Sequence, residues 1–166
     1  MNAQALEIYS YLMREEIQFI RYCHTGYRDD LEWENIMKKS KQEVTIPCVA
    51  VYHRKKDDIF FLYLHCKEKQ LPVTLDGWQL LQSEKSNAEA ALKRVTHILQ
   101  CDLHTISPLG LLFDRTKQCL FAIDSAIETE KMLCLSPCSN QSSVLIKPEI
   151  LLKKFQPIVE RKILVK

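Results

Sequence analysis

Glycine is scarce in this chain: Gly26, Gly77 and Gly110 are the only three among 166 residues. Neither a GxGxxG nor a GxxxxGK[ST] run can be written from them, so the glycine loops that cradle phosphate in dinucleotide-binding and P-loop folds are excluded. Long hydrophobic runs are missing too, and nothing approaches the ~20 apolar residues that span a bilayer. The opening MNAQALEIYSYLMREE is too polar and too acidic for a secretion signal. Nor is there an excess of one charge: 23 Lys plus Arg face 21 Asp plus Glu, a formal balance of +2. That balance argues against a protein that coats a polyanion. It leaves room for one that grips only the end of a nucleic acid, where a few local contacts suffice. No repeat, low-complexity tract or Pro/Gly linker divides the sequence, so one domain over 1–166 is expected, burying roughly two-thirds of its unfolded surface.

Cysteine is plentiful by contrast, with seven at positions 23, 48, 66, 101, 119, 134 and 138. An odd count without an export signal predicts a reducing, cytoplasmic setting and no disulfide framework. Cys134 and Cys138 are separated by LSP rather than by a zinc-knuckle spacing, and no second pair completes a ligand set. No metal or cofactor is therefore expected, and the thiols read as small hydrophobes.

The patterning alternates helices with strands. Residues 4–15 predict a helix with Leu6, Tyr9, Leu12 and Met13 on its apolar face. IQFIRYCH (17–24) reads as a strand with Ile17, Phe19 and Tyr22 inward. Asp29-Asp30 then open a helix whose apolar side is Leu31, Trp33, Ile36 and Met37, acidic first and basic last. VTIPCVAVYHR (44–54) and IFFLYLHC (59–66) flank the polar turn KKDD as a hairpin, with Pro47 marking a strand start, an edge or a bulge. A short helix near 75–82 and a longer one at 87–100 follow. The longer one takes a Ser86 or Asn87 cap and an apolar stripe of Ala90, Leu92, Val95, Ile98 and Leu99. SPLGLLFD (107–114) with QCLFAID (118–124), and KMLCLSP (131–137) with SSVLIK (142–147), read as two further hairpins. Pro148 begins a helix at its favoured first position, and KILV (162–165) closes as a strand. The class expected is α+β (mixed α/β), a mixed, largely antiparallel sheet with helices packed on it.

No catalytic constellation follows from spacing alone. Ser107 and Ser136 lack a G-x-S-x-G elbow. Among the histidines, His53 and His97 are expected at the solvated surface, and His65 with Cys66 in a structural role at a strand end. His24 and His104 fall at element junctions, where pockets form.

One stretch says more. HTISPLGLLFD (104–114) and QCLFAIDSAIETEKMLCLSPCSNQSSVLIKPEILLKKF (118–155) carry Ser107, Pro108, Gly110, Ile123, Asp124, Pro137, Asn140, Pro148, Glu149, Leu151 and Leu152. In motif and order this resembles the YbaK/prolyl-tRNA synthetase-associated domain family, free-standing aminoacyl-tRNA deacylases of the ProX type. The resemblance extends more weakly over the front half. It implies the family's fold, a tRNA acceptor end as partner, no membrane and no cofactor. It also marks departures. Family members usually carry a lysine at the start of the first long hairpin strand, where Pro47 stands here with Cys48 beside it. The family histidine becomes Ser136, and the glycine that opens the Ser-Pro-x-Gly turn becomes His104.

By this register Ser136 and His104 are the candidate catalytic residues. Pro47, Cys48, Ser107, Pro108, Gly110, Pro137 and Asn140 would line the substrate site. His104 either enters the pocket, as a base or a specificity wall, or points to solvent as a turn residue; Ser136 either donates to the substrate or merely ends a strand. Cys48 and Cys138 would border the cleft, with no paired base to make either a nucleophile. The resemblance requires Pro47, His104 and Ser136 to converge on one concave pocket. Two functions stand at this point: an editing hydrolase clearing a small amino acid such as alanine from a tRNA(Pro)-like substrate, or a catalytically degenerate homologue that binds tRNA, a nucleotide or a protein.

Overall fold

The computed structural model describes residues 2–81 and 88–165. Helix α1 (Ala3–Arg14) starts where the Asn2 side chain accepts the Ala5 amide at 2.8 Å. Its buried face is Ala5, Ile8, Tyr9 and Leu12, whereas Leu6 and Met13, expected inside, are 54% and 70% exposed. The spacing i, i+3, i+4, i+7 from Ala5 describes a narrower stripe than the one expected, and the helix turns on that stripe. Strand β1 (Ile20–Cys23) follows, and α2 (Asp30–Lys39) comes next, capped by the Asp29 carboxylate on the Glu32 amide. Only Trp33 and Met37 of its expected apolar side are buried; Leu31 is exposed.

Strands β2 (Cys48–Arg54) and β3 (Ile59–His65) form the expected hairpin, in register from Cys48 opposite His65 to Arg54 opposite Ile59. Pro47 sits immediately before β2, where its missing amide costs no ladder bond. The helix expected near 75–82 is instead a second small hairpin, β4 (Thr74–Leu75) and β5 (Trp78–Leu80). Asp76 and Gly77 between them both take left-handed backbone, φ 34° and 94°, the conformation a two-residue hairpin turn needs. Position 82 of that expectation lies outside the described residues, as do Ser86 and Asn87, the expected caps of α3 (Glu89–Leu99). The buried stripe of α3 takes in Ala91 rather than Ala90.

The segment 107–114 is a 3-10 helix, Pro108–Phe113, and not a strand. Its supposed hairpin partner, β6 (Cys119–Ile123), pairs in parallel with β3. Helix α4 (Ser125–Glu128) leads to β7 (Leu133–Leu135) and β8 (Ser142–Ile146), which form the expected third hairpin. Helices α5 (Pro148–Lys154) and α6 (Gln156–Val159) follow. Residues 162–165 are not a full strand: Lys162 makes one parallel bridge to Phe121, and the Ile163 amide donates to the Phe121 carbonyl at 2.7 Å.

The fold is thus α+β with largely antiparallel pairing, divided over two sheets, β1-β8-β7 and β4-β5-β2-β3-β6. The Thr45 amide and carbonyl bond to Met132 and Cys134, tying the approach to β2 onto β7. The main core joins α1, α3 and α5 to both sheets through Leu12, Val95, Leu62, Phe121, Val144 and Leu151. Two smaller clusters lie beside it: Tyr52, Phe61 and Leu80 on the five-stranded sheet, and Trp33, Cys134 and Leu145 beneath α2.

Candidate functional site

Two of the motifs expected to build the site are pressed together. Ser107 opens the 3-10 helix, its Oγ accepting the Leu109 amide at 3.1 Å and its carbonyl accepting the Gly110 amide at 3.0 Å. Ser107, Pro108 and Gly110 are all buried. A Cβ at Gly110 would stand 2.9 Å from the Leu99 carbonyl oxygen and 3.4 Å from the Cys138 sulfur. The turn therefore needs glycine at 110, and through it touches the 136–141 loop that joins β7 to β8.

That loop is fastened from within. The Ser136 hydroxyl donates to the Ser139 carbonyl at 2.9 Å and accepts the Ser139 amide at 3.3 Å. Pro137 is buried, and Cys138 takes a left-handed φ of 61°. Asn140 donates from Nδ2 to the Tyr27 carbonyl at 2.9 Å, with Gly26 close against its amide. The loop thus reaches the turn ahead of α2. There the Tyr27 ring stacks on Trp33, centroids 4.9 Å apart. The Trp33 indole donates to Ser143 Oγ at 2.9 Å, and His24 Nε2 meets the same oxygen at 2.8 Å. Burial pushes the Tyr27 phenol well up, an effect the nearby Ser136 hydroxyl opposes.

Asp30, the first residue of α2, links the remaining candidates. Partial desolvation raises its carboxyl above the ordinary carboxylate range, and the charges of Glu34 and Asp29 add to the rise; Lys67 and His104 oppose it. Cys48 lies in the same field. Its thiol is pushed up by burial and then by Asp30, with Lys67 again opposing. The thiol therefore stays protonated at neutral pH and supplies no nucleophile. Cys134 is driven to about 12 by burial.

Pro47 is buried, Cys48 half-buried and His104 exposed. The concave pockets that open at the end of α3, beside the C-terminal tail, and between α2 and Val44–Ile46 are lined by other residues. Pro47, His104 and Ser136 therefore do not share any of these pockets, and the convergence that the resemblance requires is not met in them; what joins Cys48 and His104 is the field of Asp30. Asp30, Lys67 and Tyr27 were missed by sequence reading. Asp30 looked like an ordinary first-turn acid, and Lys67 is brought beside Cys48 only by the pairing of Cys48 with His65.

Of the other histidines, His53 is buried rather than solvated. Its Nε2 lies 2.6 Å from Asp58 Oδ1, and its ring stacks on Phe60 at 4.6 Å. His97 is exposed, and buried His65 bonds through Nδ1 to the Cys66 carbonyl. Among the described residues no group of three or more His, Cys, Asp or Glu is placed to hold a metal ion. Nor is any helix among them long and apolar enough to cross a membrane.

No family model and no curated protein sequence matches the chain. Solved structures do. A hypothetical protein superposes with TM-score 0.67 at 9% identity, over 93% of this chain and 95% of its own. A structure from the computational design of grafted epitope scaffolds gives 0.67 at 14%, over 93% and 92%. A proposed trans-editing enzyme for prolyl-tRNA synthetase gives 0.63 at 13%, over 92% and 91%. The chain therefore shares the fold of these proteins over most of its length.

Proposed function

We propose that the chain hydrolyses mischarged aminoacyl-tRNA in trans, releasing a small amino acid such as alanine from a tRNA(Pro)-like substrate. The observation that carries this reading is the likeness over 92% of the chain to a proposed trans-editing enzyme. The contact of the Ser107–Gly110 turn with the Ser136–Asn140 loop is consistent with it. Ester hydrolysis needs a positioned water, donors for the developing oxyanion and a base. The water oxygen bonds to the ester carbonyl carbon, its proton passes to the base, and the carbon–oxygen bond to the terminal ribose breaks. The ribose hydroxyl then leaves with that proton. In this reading His104 is the base, with the Asp30 carboxylate in its field. Ser136 Oγ keeps a lone pair for substrate, and Pro47, Cys48, Ser107, Pro108, Gly110, Pro137 and Asn140 are the residues that would meet the acyl group and the terminal ribose. The cytoplasm, where charged tRNA is used, is the compartment this activity requires.

A second reading draws on Ser136. Its hydroxyl is engaged on both sides by Ser139, as a purely structural serine would be. In that case the chain binds the acceptor end without cutting it. A panel of mischarged tRNAs incubated with excess protein separates the two. Release of a small amino acid supports hydrolysis; no release from any tRNA, with retention of tRNA on the protein, supports the binding module.

A further inference from the structure

Two cysteines from distant parts of the chain line one cavity beside the 136–141 loop. Cys101 follows α3 by two residues, and Cys138 sits in the loop with its carbonyl held by the Asn2 side-chain amide at 2.9 Å. Both line one open cavity of about 470 Å³ together with Asn2, His97, Gln100 and Asp102. The Cys138 thiol donates to the Leu99 carbonyl at 3.9 Å, at the end of α3 two residues before Cys101, and the neighbouring Cys101 and then burial push it up, so that it holds its proton. Cys101 is half-buried at the cavity wall, Cys138 is buried behind it, and both are free. An accessible thiol that shares a cavity with a second one is the arrangement that captures and then resolves a disulfide.

We propose that Cys101 and Cys138 form a dithiol site for small-molecule disulfides of the glutathione class. Cys101, as thiolate, attacks one sulfur of the small disulfide. A mixed disulfide forms at Cys101 and one small thiolate leaves, taking up the proton that Cys101 released. Cys138 then attacks the Cys101 sulfur, the bond to the second small thiol breaks, and the Cys138 proton goes with it. Two protein thiols are oxidised to one disulfide and one small disulfide is reduced to two thiols. The new bond ties the Ser136–Gln141 loop to the end of α3, across the contact that Gly110 makes with Leu99 and Cys138.

The test is incubation of the purified protein with oxidised glutathione, alkylation of remaining thiols, and peptide mass spectrometry without reductant. A peptide pair linked through Cys101 and Cys138 is expected. In Cys138→Ala the reaction should stop with glutathione retained on Cys101, and in Cys101→Ser Cys138 should stay unmodified. Glutathione persisting on Cys101 of the wild type with no linked pair would overturn the proposal. So would glutathionylation of Cys138 in the Cys101→Ser variant.

Discussion

At the level of single residues, Gly110 shows how a small side chain can hold a site together. Its backbone has no unusual dihedral to excuse the choice; the constraint is the 2.9 Å from an added Cβ to the Leu99 carbonyl. A backbone oxygen at the end of a helix cannot step aside cheaply, so Gly110→Ala forces the 3-10 turn off α3. We expect a loss of about 1–3 kcal/mol, read from the denaturant midpoint, as for overpacked cores. A midpoint equal to wild type would mean that the turn has room to relax. His104 makes the opposite case. It is exposed and carries no packing load, so His104→Ala should leave the denaturation curve in place. If it is the base, the variant should release amino acid from mischarged tRNA ~10²–10⁴-fold more slowly. Unchanged turnover would return His104 to the role of a turn residue.

Elements were legible where a local signal and the tertiary contact agreed. The β2–β3 hairpin was marked by two apolar runs about KKDD, the β7–β8 hairpin by LCL and SVLI, and α5 by its opening proline. Reading failed where partners are remote. LGLLF (109–113) is as apolar as a strand, yet Ser107 caps it and Pro108 starts it as a 3-10 helix that buries Leu109 and Leu111. Strand β6 lies parallel to β3, a pairing that a tight turn cannot make. The β4–β5 turn is written in the sequence as Asp76-Gly77, a strong hairpin pair that the expectation of a short helix near 75–82 overlooks. The site divides the same way: the Ser-Pro-x-Gly turn and the Asn140 loop were visible, whereas Asp30 and Lys67 are neighbours of Cys48 only in three dimensions. The turn after β2 also fastens elements by charge. Asp58 accepts from Arg94 of α3 at 2.9 Å and faces His53 at 2.6 Å, and these bonds hold its carboxyl below the ordinary 3.8. A carboxyl depressed in the folded state stabilises fully above its unfolded pKa and loses that contribution as pH falls through the folded value. The stability gap between wild type and Asp58→Asn should thus be constant near neutral pH and close on acidification. A gap that survived undiminished into strong acid would show that His53 and Arg94 hold the turn by packing alone.

For the molecule as a whole, the near-neutral charge becomes a quantitative constraint on any nucleic-acid partner. A formal balance of +2 leaves no field to steer a whole tRNA, and many of the cations are already engaged. Lys67 pairs with Glu34 at 3.3 Å, Lys69 with Asp124 at 3.1 Å, and Lys153 with Glu149 at 2.9 Å. A protein with these pairings has little to offer a phosphate backbone without first giving up contacts of its own. Binding confined to the single-stranded acceptor end would neutralise few phosphates. Counterion release scales with that number, at about −0.7 per phosphate for single strands, so three contacts give a log–log salt slope near −2. Titration of tRNA binding against salt concentration should therefore yield a shallow line with a slope of about −2. A slope steeper than about −5 would require a broad basic face, which the paired cations and the balance of charge both argue against.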